Sequence, residues 1–458
     1  MRFQNERTRP FMLGIAAASL LVAAASPSPR LAGAASGSPP AKQPPAVTLA
    51  AALGRSPSSR QDAKPLLIKI DYGAAGVASG QRPPLNIALV LDRSGSMAEQ
   101  GKLRYTLDAA RVVVENLSDQ DYVSIVAYND RTTVLSPSGR AVNRKFLAHR
   151  LDEVTAEGWT DLSAGLLEGI AQIARTSAAG QSRHVLLLTD GLANRGVIDQ
   201  AGLRRIAAAA QTQGIEVSTF GCGTEFDGKL LKAVAESGAG RYTYVRTAEQ
   251  IPTAFLEELH GFLQVVAQNV RLDLTLGPGA ELGHVYGVLP GTPSPRSFQL
   301  GNLRAGERGL LVAELAPGEP GTAVELKARL TFDDVAAGRR GSIEVRARSE
   351  PGAERPDVTL YGEVLEALDR AIEAVEGEDQ ARAAAARADY ARVYERARAY
   401  AIETHDQELL NQTFLLKHFI GELDESESEG RLHEHDQAAF TKEAEYQRYL
   451  LLHHHAGQ

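Results

Sequence analysis

Carboxylates and hydroxyls gather at three points of this chain where an apolar run ends or a helical period begins. Asp92-Arg93-Ser94-Gly95-Ser96-Met97 follows the run Leu85 to Leu91 (LNIALVL), and Asp190-Gly191 follows His184 to Thr189 (HVLLLT). Thr160-Asp161 stands at the head of a segment whose apolar residues, Leu162, Leu166, Ile170 and Ile173, recur at helical spacing. All the donors are hard oxygens. Such a set suits a small divalent cation, Mg²⁺ or Mn²⁺, which takes octahedral oxygen coordination and keeps waters when carboxylates are few. Ca²⁺, which asks for more oxygens, suits it less. Taken alone, Asp-x-Ser-x-Ser is a weak signal, because aspartate and serine also serve as turn and helix-cap residues. Three loops that aim oxygens at one crevice carry more weight.

The elements around these loops predict where they meet. Continuous apolar strands at 85–91 and 184–189 are the pattern of parallel strands covered on both faces. Further strands are predicted at Tyr122 to Tyr128 and Glu216 to Gly221. A helical stripe through Leu103, Leu107, Ala110, Val114 and Leu117 follows the first. Repeated strand-helix units imply an α/β, doubly wound, mainly parallel sheet, whose ligand crevice lies beyond the carboxyl ends of the strands. From Asn269 the period changes to two, with Val270, Leu272, Leu274 and Leu276 on one face and Val324 to Phe332 and Ile343 to Ala347 alternating likewise. This predicts a β-sandwich over 265–350. The strand PLLIKIDY at 65–72 has no helical partner and is assigned to the same sandwich. After Pro356 the period is again helical, over 357–425, and a charged tail with a possible short helix fills 426–458.

Asp92-x-Ser94-x-Ser96, Thr160 in GWTDLSAGL and Asp190 in LLLTDG resemble the metal-ion-dependent adhesion site of von Willebrand factor type A domains, over about residues 84–262. The segment from Pro84 to Met97, with its approach strand and the β-rich stretch after 265, is also similar to secreted bacterial proteins of this type. The resemblance implies that Ser94, Ser96 and Thr160 bind the ion directly, that Asp92 and Asp190 hold its waters, and that one position is left for an acidic side chain of a partner. It further implies a type A domain inserted into a sandwich, which accounts for the unpaired strand at 65–72. Trp159 departs from the family, where a small glycine commonly precedes the threonine. Its bulk either forms part of a partner-binding face or narrows access to the ion.

Composition excludes other classes. The 458 residues are 43% hydrophobic and 23% charged, which rules out disorder and fibrous repeats and allows about three domains. A formal charge of −8 argues against nucleic acid as a partner. One cysteine, Cys222, forbids an intrachain disulfide or a Cys-rich metal site. Arg2, Arg7 and Arg9 precede the apolar run Phe11 to Ala25, which reads as a signal peptide over 1–25. The Ala/Pro/Ser-rich stretch 26–64 is expected to be a disordered linker. No later run is long enough to span a membrane, so a secreted or periplasmic location is expected.

Cys222 is read as a buried filler, and His433, His435 and His453 to His455 as solvated tail residues, since neither group has the H-E-x-x-H spacing. No G-x-S-x-G elbow, phosphate loop or G-x-G-x-x-G fingerprint is present, and no histidine or glutamate near the oxygen donors in sequence offers itself as a general base. The chain is therefore expected to bind rather than catalyse. The expected function is divalent-cation-dependent adhesion to a protein that presents an Asp or Glu. The alternative is an accessory subunit that modulates an envelope transporter, channel or assembly complex through the same site.

Overall fold

A computed structural model describes residues 47–54, 65–74, 82–286, 296–316, 323–349, 355–376 and 380–413, with 417, 442, 443, 445, 446, 449 and 450. The expected signal peptide and the tail histidines lie outside the described residues. All described residues fall in one compact unit, 44–458. Among them no helix is long and apolar enough to cross a membrane.

The chain begins with β1 (Val47–Leu53) and β2 (Leu66–Ala74), which pair antiparallel. β1 corrects one expectation, because it lies inside the stretch read as a disordered linker. Its sequence, VTLAAAL, is poor in the residues that favour strands, and its order comes from pairing with β2 and from burying Val47 and Leu53 in the sandwich core.

A second sheet follows. Its elements are β3 (Leu85–Asp92), α1 (Lys102–Asn116), β4 (Tyr122–Tyr128), β5 (Thr132–Arg140), α2 (Arg144–Arg150), α3 (Leu162–Arg175), β6 (Ser182–Thr189), α4 (Gln200–Thr212), β7 (Ile215–Cys222), α5 (Gly228–Ser237), β8 (Ala239–Val245) and α6 (Ile251–Leu263). The strand order is β5-β4-β3-β6-β7-β8, parallel throughout except for the antiparallel edge strand β5. All eight residues of β3 are buried, as a central strand between two helical layers requires. Met97, Leu107, Val114, Phe255 and Leu259 cover one face of the sheet, and Leu162, Leu166, Leu203, Leu231 and Val234 cover the other. Aspartates start three of the helices. Asp161, Asp199 and Asp227 accept the amides of Ala164, Gly202 and Leu230, satisfying donors that a helix leaves unpaired.

A single residue, Gln264, separates α6 from β9 (Val265–Leu276), and the chain returns to the sandwich through β10 (Glu281–Val285), β11 (Ser297–Arg304), β12 (Arg308–Ala316), β13 (Glu325–Asp334) and β14 (Arg339–Arg348). One sheet is ordered β1-β2-β12-β10 and the other β11-β9-β13-β14. The strand over 65–72 thus pairs along β12, with Ile70 opposite Leu311. α7 (Pro356–Glu376) lays Leu360, Tyr361 and Val364 on Leu310 and Val312 of β12, and α8 (Gln380–Thr404) returns against it through Tyr390 and Ala397. Residues 407–413 are also helical.

Candidate metal centre

Open parallel sheets put their ligand crevice beyond the carboxyl ends of the strands, and every sequence-predicted donor is found there. Asp92 ends β3, Ser94 and Ser96 lie in the 3-10 turn between β3 and α1, Thr160 precedes α3, and Asp190 follows β6. Four of the five are brought together by direct contacts. Ser96 Oγ donates to Asp190 Oδ1 at 2.7 Å, the Ser94 and Ser96 hydroxyls are 3.2 Å apart, and the Ser94 amide donates to Asp92 Oδ1 at 2.8 Å. Thr160 is placed by Gly191. A β-carbon at that glycine would meet Ser96 Oγ at 3.5 Å and Thr160 Oγ1 at 3.9 Å, so the two hydroxyls line one small space. Asp161 caps α3, accepting from Ser163 Oγ as well, and is not a member of the set.

The loop that carries Thr160 is stitched to its neighbours. Gly95 N donates to Gly158 O, Glu157 N to Arg93 O, Asp161 N to Asn129 O, and Asn129 Nδ2 to Glu157 O. Thr160 N donates to Asn194 Oδ1, while Asn194 N and Arg195 N both donate to Thr160 O. Gly158 allows the turn. Its φ is +78°, and a β-carbon there would lie 2.2 Å from Asp130 Oδ1.

The electrostatics favour a cation. Asp92 is fully buried, accepts from Thr189 Oγ1 at 2.6 Å, and has no ion-pair partner among the described residues. Burial pushes its carboxyl up to about 6, against the hydrogen bonds from Thr189 and Ser94 that favour the charged form. A buried carboxylate without a cation is costly, and a bound divalent ion would relieve it. Thr160 Oγ1 has no hydrogen-bond partner among the described residues and is free to act as a ligand. No cluster of three or more His, Cys, Asp or Glu residues among the described ones is placed for a metal, so any ion here would rely on hydroxyls. The donor set therefore fits Mg²⁺ or Mn²⁺.

One residue of the site is absent from the sequence reading. Lys102, the first residue of α1, is buried and donates to Asp190 Oδ2 at 2.8 Å. Burial alone would lower its pKa, yet the Asp190 carboxylate outweighs that and holds it above the ordinary lysine value. A cation at a helix N-terminus has the wrong sign for the helix dipole, which was the available signal that Lys102 serves something other than α1.

Trp159 is 56% exposed, beside Thr160, with the Arg195 guanidinium 4.8 Å from its ring centroid. It lies on the rim and packs into no core. Cys222 is buried, and burial raises its thiol to about 11, so it stays protonated near neutrality.

This arrangement of sheet, helices and loops is that of a von Willebrand factor type A domain, and residues 86–257 match the family model of that domain. The protein YfbK of Escherichia coli is 27% identical over 213 residues, 46% of this chain and 37% of the relative, so the chain spans little more than a third of that protein's length. The protein sll0103 of Synechocystis is 26% identical over 319 residues, 65% of this chain and 74% of the relative. Among solved structures, a von Willebrand factor type A protein from Catenulispora acidiphila superposes with a TM-score of 0.58 at 19% identity, over 79% of this chain and 88% of that one. At that coverage the likeness in fold extends beyond the type A domain.

Proposed function

We propose that this chain is an extracytoplasmic, divalent-cation-dependent protein-binding molecule. Ser94, Ser96 and Thr160 would hold Mg²⁺ or Mn²⁺ directly, with Asp92 and Asp190 steadying its waters. The bound ion would supply an electrophilic centre for an Asp or Glu of a partner. The observation that carries this reading is Asp92, a fully buried carboxylate without an ion-pair partner among the described residues, in the same crevice as the Ser96 and Thr160 hydroxyls that line one space at Gly191. Direct ligands without charge leave the ion incompletely neutralised, which is the condition for a strong charge-assisted contact with an outside carboxylate. Nothing in the donor set supplies a general base, so we read the site as one for binding, not turnover.

Trp159 would form part of the partner face, since an exposed tryptophan beside a binding centre is the side chain most apt to anchor an interface. Thr160→Ala separates folding from ion binding, because the hydroxyl supports no other residue. The expected result is Mg²⁺-dependent stabilisation in the wild type and none in the variant, with equal melting temperatures in EDTA. Partner capture from envelope extract with Mg²⁺ and with EDTA then tests the rest. Equal capture in both conditions would move the binding surface to the sandwich or the helices.

A further inference from the structure

We propose that Arg195, held on the face of Trp159, is a second anion-binding point beside the ion site. The partner segment taken here then carries two acidic side chains, one for the ion and one for the guanidinium. This deepens the function proposed above and rests on it for the first of the two contacts.

The Arg195 guanidinium carbon lies over the indole ring, 4.8 Å from its centroid, a cation–π contact that holds the group beside Trp159. Arg195 is exposed, and its side chain has no hydrogen-bond or ion-pair acceptor among the described residues. Arg93, at the other end of the same loop system, is by contrast paired with Glu157 at 2.8 Å. The backbone of Arg195 is held as well. Its amide and that of Asn194 both bond Thr160 O, at 3.2 and 3.1 Å, so the arginine is tied to a residue that lines the ion site. An unpaired guanidinium held in this way is suited to bidentate capture of a carboxylate. Leu192 and Ile198, each 57% exposed, stand in the same loop on either side of Arg195 in sequence and would offer apolar surface to the partner backbone.

Charge complementarity selects the occupant. The chain carries a net charge of −8 and does not attract acidic partners at long range. An acidic segment is held here only if local cations meet its carboxylates one by one.

Trp159 is the only tryptophan of the chain, adjoins Thr160 in sequence and touches Arg195, so its fluorescence is the readout for both contacts. The probes are synthetic Gly/Ser peptides with one Asp, or with two Asp separated by one, two or three residues. They are titrated with Mg²⁺ into the full chain and its Arg195→Ala variant, with calorimetry as a second readout. For at least one spacing the two-acid peptide should bind the wild type about tenfold more tightly than the one-acid peptide, the gain expected of a charge-assisted bond. Arg195→Ala should erase that advantage and leave one-acid binding unchanged.

An advantage that survives in Arg195→Ala, no advantage in the wild type, or no binding of any peptide to protein that binds Mg²⁺ would overturn the proposal. The same titrations in EDTA keep the two readings apart. An Arg195-dependent advantage that persists without Mg²⁺ would support the arginine site and sink the metal one. Mg²⁺-dependent one-acid binding without any advantage would do the reverse.

Discussion

Lys102 Nζ and Asp190 Oδ2 form an ion pair at 2.8 Å inside the crevice, the lysine side chain 7% exposed and the carboxylate not at all. The ammonium answers one of the two carboxylates of the site, so Asp92, Asp190 and Lys102 together carry a single net negative charge. An ion of charge two bound there would leave the site net positive. That favours an incoming carboxylate and weakens the hold on the ion itself, since two unit charges about 4 Å apart interact by about 4 kcal/mol at an effective dielectric of 20.

Replacement of Lys102 therefore has opposite effects on the two states. Lys102→Met should tighten Mg²⁺ binding at least tenfold by calorimetry, because the repulsion is gone. In EDTA the variant should melt below the wild type, since Asp190 is left buried without its partner, a loss of about 3–5 kcal/mol for a broken buried pair. The gap in melting temperature between Mg²⁺ and EDTA should widen. An unchanged gap would mean that Lys102 does not sense the ion.

Gly191 is predicted to matter for the ion and not for folding. A methyl group there would meet Ser96 Oγ at 3.5 Å and Thr160 Oγ1 at 3.9 Å, ordinary contact distances that need no rearrangement. It would nonetheless occupy the space between the two hydroxyls. Gly191→Ala should keep its stability in EDTA to within about 1 kcal/mol and lose at least tenfold in Mg²⁺ affinity. A variant with wild-type affinity would place the ion elsewhere.

The oxygen donors were legible because each directly follows a buried run or opens a helix, so local pattern and chemistry coincide at Asp92, Thr160 and Asp190. Lys102 was not. Its only local mark is an unfavourable charge at the start of the helix that carries Leu103, Leu107 and Ala110, and its partner is remote in sequence. β1 escaped for a similar reason, since its register with β2 is a tertiary fact that the alanines of VTLAAAL do not announce. The charged contacts between the type A domain and the sandwich were equally silent. Glu216 accepts from Asn302 N and Glu258 pairs with Arg304, both partners lying in β11 and remote in sequence.

Glu258 gives that interface a pH dependence. Burial would raise its carboxyl, but Arg304 at 2.8 Å and Arg241 outweigh burial and hold it at about 2. A carboxylate whose folded pKa is depressed stabilises the protein above its unfolded value of 4.5, and that contribution is lost as pH falls toward 2. A depression from 4.5 to about 2 corresponds to about 3 kcal/mol. Urea unfolding of the wild type should lose stability across this window, and Glu258→Gln should show a shallower slope there together with lower stability at neutral pH. Parallel pH profiles would assign the acid sensitivity to other carboxylates.

The last described residues bear on the type A domain itself. Tyr449 is 1% exposed, and its hydroxyl accepts from Tyr242 N at 3.2 Å while the two rings meet edge to face at 5.9 Å. Lys442 donates to Phe226 O at 2.6 Å and lies over the Phe226 ring. These contacts cover β8 and the start of α5, on the face of the sheet that also buries Leu231 and Val234. Removal of so buried a ring costs about 3–5 kcal/mol by analogy with other aromatic truncations, and loss of the hydroxyl alone about 1 kcal/mol. Tyr449→Ala should therefore lower the unfolding free energy several times more than Tyr449→Phe. Because the contacts described for Tyr449 include none of the oxygen donors, both variants should keep wild-type Mg²⁺ affinity at temperatures where they are folded. A Tyr449→Ala protein as stable as the wild type would show that the segment around Tyr449 does not contribute to the core, and an altered Mg²⁺ affinity would show that the loop around Phe226 transmits its docking to the site.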